Sequence, residues 1–189
     1  MSTWRRLKEP GSSAKNREKI QDLSAVSNED LIEELETRLL IELDVYSRMV
    51  VGWAISKRLT ADIALEALDC AIELRQPKAG LIHHSDQGVQ YLCEDYVTKC
   101  NKSGIHISCS RRGNPYDNAY AETFFKTLKR EEVYLWDYET ILDVLDRLPN
   151  FIEEVYNKKR VHSSLGYLTP AEFEEKVRLN KDGQPILIL

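Results

Sequence analysis

The chain has 189 residues, 42% of them hydrophobic and 30% charged, with a formal net charge of −5 at pH 7. That length suits one globular domain with appendages. No apolar run approaches the roughly 18 residues a membrane span needs, and the basic, polar start MSTWRRLKEPGSSAKNREK lacks the apolar core of a secretory signal, so the reading is a cytoplasmic protein with no membrane partner.

Residues 1 to about 27, with Pro10-Gly11-Ser12-Ser13 inside, read as a loose polar arm. Ser27 then caps NEDLIEELETR, a helix with acids in its first turn. LLIELDV, YSR and MVVGWAI follow, two β-rich runs around a short polar break, which predict an antiparallel hairpin. In LTADIALEALDCAIELRQP the apolar residues at 64, 67, 68, 71 and 72 have helical spacing; Thr60 can cap this helix and Pro77 lies beyond its end. AGLIHH reads as a short buried strand, YLCEDYVTKCNKSG as one helix closed by Gly104, and IHISCS as another strand. After the loop RRGNPYDN, a helix runs from about Ala119 to Glu132.

DYETILDVLDRLPNFIEEVYNKKR carries apolar residues at 141, 144, 145, 148, 152 and 155, a long amphipathic helix that Pro149 should kink or split. Thr169-Pro170-Ala171-Glu172 is a capping box with proline in the first helical position, opening a last short helix. The apolar QPILIL ends the chain. The order of hairpin, helix, strand, helix, strand and helices is that of an α/β layered domain. Cys70, Cys93, Cys100 and Cys109 form no C-x-x-C pair, and His83, His84, His106 and His162 show no zinc-finger spacing. The thiols therefore read as reduced residues of a core.

The net charge hides a strong asymmetry. From Asn101 to Arg130 there are six bases (Lys102, Arg111, Arg112, Lys126, Lys129, Arg130) and two acids (Asp117, Glu122), a net of +4. From Asn28 to Asp44 there are seven acids (Glu29, Asp30, Glu33, Glu34, Glu36, Glu42, Asp44) and one base (Arg38), a net of −6. The basic stretch adjoins two isolated acids. Asp86 ends the AGLIHH strand, and Glu122 lies on the helix after the next strand, with 35 residues between them (87 to 121). Two facing carboxylates are unfavourable without a cation between them. A hard divalent ion such as Mg2+ or Mn2+ takes oxygen ligands, and paired ions of this kind serve phosphoryl transfer. Lys126 and Lys129 stand four and seven residues after Glu122 on one helical face, a placement that fits a solvated charge pair or a metal ligand beside a DNA backbone.

The blocks LDVYSRMVVGWAI, HHSDQGVQY, NPYDNAYAETFFKTLKRE and YNKKRVHSSLGYLTPAEFE, in that order, resemble the integrase-core transposases of bacterial insertion sequences, relatives of the retroviral integrases. The resemblance runs from about Leu39 to Lys176. It implies a ribonuclease-H-like catalytic core with C-terminal helices, a DDE triad, and Mg2+- or Mn2+-dependent cleavage and strand transfer on transposon-end and target DNA, with a homo-oligomer as the acting form. By match, Asp86 resembles the second triad acid and Glu122 the third, both as catalytic metal ligands. Arg111, Arg112, Lys126, Lys129, Arg130, Lys158, Lys159 and Arg160 would meet DNA phosphates. Asp117 and Asn118 would shape the turn into the catalytic helix. For the YNKKRVHSSLGY block, packing of the C-terminal helices stands beside DNA contact as an equal reading. The division is then an N-terminal segment over 1–37 unlike the family, the integrase-like core with its helices over 38–178, and a tail over 179–189.

The departure lies at the front. The family's first triad acid sits on a first strand of the type W-x-T-D-I-T-Y, and counting back from Asp44 by that spacing reaches Val26, where no such block stands. Three readings stay open: a remnant lacking that strand, substitution by Asp22, Asp30 or Asp44, and a polypeptide kept for DNA binding alone. A fourth, a ribonuclease-H-like nuclease of another kind, fits the LGYLTPAEF block less well. Without a central strand the two neighbours would expose ladder groups, so reduced stability is expected, and the acidic helix could cover only a face or an edge.

Overall fold

In the computed structural model, residues 27–55, 61–110, 119–136, 138 and 140–179 are described. The Pro10–Ser13 arm, Asp22, the Thr60 cap, Arg111, Arg112, Asp117, Asn118 and the QPILIL tail lie outside them.

Helix α1 (Asn28–Arg38) opens on a full capping box: Ser27 Oγ accepts from the Asp30 amide while the Asp30 side chain accepts from the Ser27 amide. It runs directly into β1 (Leu39–Leu43), which pairs antiparallel with β2 (Val50–Ile55), Leu39 opposite Ile55, with a bulge between Glu42 and Leu43. Strand alternation splits the hairpin's faces. Leu39, Ile41, Leu43, Trp53 and Ile55 join one apolar cluster, which holds Leu31, Ile32 and Leu35 of α1 and Phe124, Leu128, Val144, Leu148, Phe151 and Ile152 from the later helices. Leu40 and Ala54 face the second cluster, with Ile63, Ala64, Ala67 and Leu68 of α2 (Ala61–Arg75) and with Tyr96, Cys100 and Ile105. The hairpin is thus covered on both faces. The acidic helix is a structural part of the first cluster, because its Leu31, Ile32 and Leu35 recur at helical spacing and are buried.

α2 lies hard against β2. A Cβ placed on Gly52 would fall 2.2 Å from the Ala67 carbonyl oxygen and 2.9 Å from Ala71 Cβ. Gly52→Ala must therefore push the helix off the sheet, and an overpacking loss of about 1–3 kcal/mol is expected in urea unfolding, with the m-value unchanged.

β3 (Ile82–Ser85) pairs parallel with β4 (His106–Cys109), from Ile82 opposite His106 to Ser85 opposite Cys109. Between them come α3 (Val89–Leu92) and α4 (Glu94–Lys102), parted by Cys93 in extended conformation (ψ 151°). The expected single helix is therefore two. The expectation that AGLIHH is buried is also corrected: Leu81 is 47% exposed and Ile82 67% exposed. Among the described residues β3 has one strand neighbour, β4, and the two sheets share no ladder, so one edge of the strand is left uncovered. The cysteines need a similar correction. Cys100 is buried, but Cys70 and Cys109 are exposed and Cys93 is half-buried, because the first and last of the four lie on element surfaces.

α5 (Ala119–Glu131) buries Phe124, Thr127 and Leu128. α6 (Ile141–Asn150), capped by Thr140 and Asp143, continues past Pro149 into a π-helical turn over Phe151–Tyr156. The proline's missing N–H is absorbed by a change of helical register, not by a break. α7 (Pro170–Leu179) starts as predicted: Glu172 Oε2 accepts from the Thr169 amide at 2.9 Å and Thr169 Oγ1 from the Glu172 amide at 3.1 Å.

Candidate functional site

Asp86 follows the last residue of β3, and its surroundings are ordered by short polar links to β4. His84 Nδ1 is 3.0 Å from Ser108 Oγ and its Nε2 is 3.2 Å from Ser110 Oγ. Gln87 Nε2 donates to the Ser110 carbonyl at 3.1 Å. The Asp86 carboxylate is exposed and accepts from the Gly88 amide at 2.8 Å. A Cβ on Gly88 would lie 2.8 Å from Asp86 Oδ1, so the glycine lets the backbone close on the carboxylate. Glu122 lies in the first turn of α5, exposed, with Lys126 Nζ 3.8 Å from its Oε2. Among the described residues the two acids share no hydrogen-bonding residue.

The predicted phosphate-binding residues fall into two groups. Arg130 and Lys159 are exposed, with no ion pair among the described residues, and Lys126 is exposed beside Glu122. The others have acid partners: Lys129 with Glu36 of α1 at 2.6 Å, Lys158 with Glu154 at 2.5 Å, and Arg160 Nε with both oxygens of Glu131 at 3.0 and 2.9 Å. These are partly exposed pairs, each of small value in water, and an arriving phosphate competes with the carboxylate for the cation.

Of the acids weighed as replacements for a first triad member, Asp44 is spent on its own turn. Its Oδ1 accepts from the Tyr46 and Ser47 amides at 2.9 and 3.3 Å, and its Oδ2 lies 3.2 Å from Arg75 Nη2. Arg75 in turn forks onto Glu174 of α7, which holds the guanidinium pKa above its ordinary value through that hydrogen bond, against burial. Asp30 is spent on its helix cap.

Sequence reasoning missed a buried acid. Glu42, 9% exposed, reaches across from β1 to the other sheet: His83 Nε2 is 3.0 Å from its Oε2, and the Tyr96 hydroxyl donates to its Oε1 at 3.1 Å. Burial alone would depress the His83 imidazolium, but the Glu42 hydrogen bond and charge outweigh it and raise the pKa. Burial first, then Glu42 and Asp86, drive the Tyr91 hydroxyl far up, and burial with the Glu42 charge lifts the Cys100 thiol to about 11. The signal was present in LLIELDV: Glu42 stands two residues from Leu40, on the same face of the strand.

Among the described residues no group of three or more His, Cys, Asp or Glu side chains is placed to hold a metal ion. Asp86 and Glu122 have exposed oxygen donors of the kind Mg2+ or Mn2+ takes; a pair of ions held in line needs a further ligand shared between them, and among the described residues none stands with these two.

Two family profiles, each described as integrase core domain, match this chain, one over residues 26–115 and one over 103–170. The chain is 41% identical over 137 residues to the transposase for insertion sequence element IS904 of Lactococcus lactis subsp. lactis (strain IL1403), a match covering 72% of this chain and 54% of the relative. It is 37% identical over 138 residues to transposase InsF for insertion sequence IS3A of Escherichia coli (strain K12), covering 73% and 48%. The chain thus spans about half the length of the curated relatives it matches. Among solved structures, the catalytic core domain of BIV integrase superposes with a TM-score of 0.52 at 25% identity, covering 77% of this chain and 90% of that one. A simian T-cell lymphotropic virus intasome complex superposes with a TM-score of 0.58 at 18% identity, covering 79% and 49%. The fold is therefore the ribonuclease-H-like one of retroviral integrase cores, and the chain belongs to the integrase-core family of insertion-sequence transposases.

Proposed function

We propose that the chain engages DNA as an integrase-core polypeptide of transposition, and that it does not by itself complete the metal-dependent strand-cutting site. In this reading Asp86 and Glu122 are two acids of a DDE-type set for Mg2+ or Mn2+. Arg111, Arg112, Lys126, Lys129, Arg130, Lys158, Lys159 and Arg160 meet the phosphates. The supporting observation is where the other acids are spent: Asp44 on its turn and Arg75, Asp30 on its cap, Glu42 on His83 and Tyr96. Removing one essential member of a catalytic unit costs several orders of magnitude in rate, while phosphate contacts act independently of it.

The test pairs binding with cutting. The chain should retain duplex DNA at low salt and release it steeply as salt rises. Nicking with Mg2+ or Mn2+ should not exceed that of the Asp86→Asn/Glu122→Gln double variant. Metal-dependent cleavage that disappears in either single variant would instead show a complete DDE enzyme, its third acid supplied from outside the described residues. Absence of DNA binding at low salt would end the reading.

A further inference from the structure

The turn between β1 and β2 holds Arg48 in the left-handed region at φ 62°, where a side chain is ordinarily avoided in favour of glycine. The Arg48 amide donates to the Asp44 carbonyl at 2.7 Å and the Asp44 amide to the Met49 carbonyl at 2.9 Å, so the turn is closed and the conformation enforced. The side chain leaves the hairpin for α5, and its Cζ sits 4.0 Å from the Tyr120 ring centroid. Its Nη1 is wholly buried yet has no hydrogen-bond partner, and Arg48 pairs with no carboxylate among the described residues.

A second orphan lies within range of the Arg48 charge. His162 is fixed by its own backbone: its amide donates to the Leu168 carbonyl at 3.0 Å, and its carbonyl accepts from the Tyr167 amide at 2.9 Å. Its ring meets Tyr156 edge-on at 5.3 Å, and the Arg160 Cζ stands 6.0 Å over that same Tyr156 ring. Its Nε2 is buried and unpartnered. Burial, then the charges of Arg160 and Arg48, hold the imidazole down at about 4, so it is neutral near pH 7, and with neither ring nitrogen hydrogen-bonded among the described residues its one N–H is free to sit on Nε2. Glu131, the acid beside Tyr156, is engaged in both oxygens by Arg160. Buried polar nitrogens without partners are costly. Two of them, beside cations and aromatic rings, with the surface rings of Tyr120 and Tyr167 at the rim, are what a phosphodiester requires.

We propose that Arg48 and His162 form a phosphate-binding pocket that seats one DNA backbone phosphate between the hairpin turn, the start of α5 and the His162–Leu168 turn. The inference rests on the DNA-binding reading and adds a site to it. Arg48 supplies charge and two-pronged geometry, and His162 Nε2–H supplies a neutral donor to a non-bridging oxygen.

Arg48→Gly separates this role from a structural one, because glycine relieves the left-handed conformation. The variant should be at least as stable to heat as the parent. It should bind duplex DNA about tenfold more weakly with a salt slope smaller by about one. In NMR, inorganic phosphate added to the parent should move the His162 ring signals and raise their titration midpoint, and Arg48→Gly should abolish both effects. Unchanged DNA affinity in Arg48→Gly, or His162 signals indifferent to phosphate, would overturn the proposal and leave the pocket to solvent water. If the parent fails to bind duplex DNA while the phosphate response at His162 persists and depends on Arg48, the pocket stands as an anion site and the DNA reading falls.

Discussion

Glu42→Ala will destabilise the protein by about 3–5 kcal/mol, the cost of breaking a buried ion pair from one side. The side chains of Glu42 and His83 are 11% and 12% exposed, so solvent cannot take the place of the lost partner. The truncation removes the acceptor shared by His83 Nε2 and the Tyr96 hydroxyl, which are left with only each other at 3.1 Å; His83 Nδ1 is already buried and unpartnered. The expected signature is a drop in urea midpoint that Glu42→Leu combined with His83→Leu partly recovers, since an apolar pair leaves no stranded charge. The pair also predicts a pH dependence. The folded His83 pKa is raised above the ordinary value of about 6.5, so the folded state holds the proton more tightly than the unfolded chain. The extra stability is fully present below about pH 6.5 and is lost as pH rises through the folded pKa. Unfolding midpoints measured on both sides of that window should fall with rising pH in the parent and stay level in His83→Gln. A flat parent profile would show that the pair contributes no protonation-linked stability.

Asn157→Leu will cost about 2–5 kcal/mol, the desolvation penalty of two buried backbone groups left unpaired. The carboxamide takes the place of a strand neighbour: its Oδ1 accepts from the Val50 amide at 2.9 Å and its Nδ2 donates to the Val50 carbonyl at 3.0 Å. The same residue's own carbonyl accepts from Ala171 at 3.0 Å, so one side chain and its backbone fasten the π-helical turn to the hairpin and to α7. Amide exchange at Val50 should accelerate in the leucine variant well beyond its neighbours. Asn157→Asp should rescue little, because a carboxylate accepts from the amide but cannot donate to the carbonyl. A leucine variant as stable as the parent would mean that water reaches both groups of Val50.

The parts of the fold legible in the sequence were those with local causes. The Ser27 cap and the Thr169–Glu172 capping box are written within four residues, and both formed as read, Asp30 closing the first into a box as well. The hairpin followed from two β-rich runs and a polar break. What escaped depended on distant partners. The exposure of Leu81 and Ile82 reflects which strands stand beside β3, a fact no window around AGLIHH contains. Pro149 was expected to kink or split its helix; packing of Phe151, Ile152 and Tyr156 into the core carries the helix on as a π turn. Motif and spacing pointed to Asp86 and Glu122 as candidates, whereas nothing in them pointed to Glu42 or Asn157. Each of the latter acts across long sequence separation, on His83 and on Val50. Spacing also could not tell that Lys129 would turn to Glu36.

Among the described residues the two sheets share no ladder, and this has a mechanical consequence. Asp86 hangs from a two-stranded ribbon, and ribbons of that size have little rigidity of their own, while Glu122 rides a helix rooted in the larger apolar body by Phe124 and Leu128. The spacing of the two acids is therefore governed by side chains such as Glu42 and His83, acting as a compliant spring where a continuous sheet would be a stiff beam.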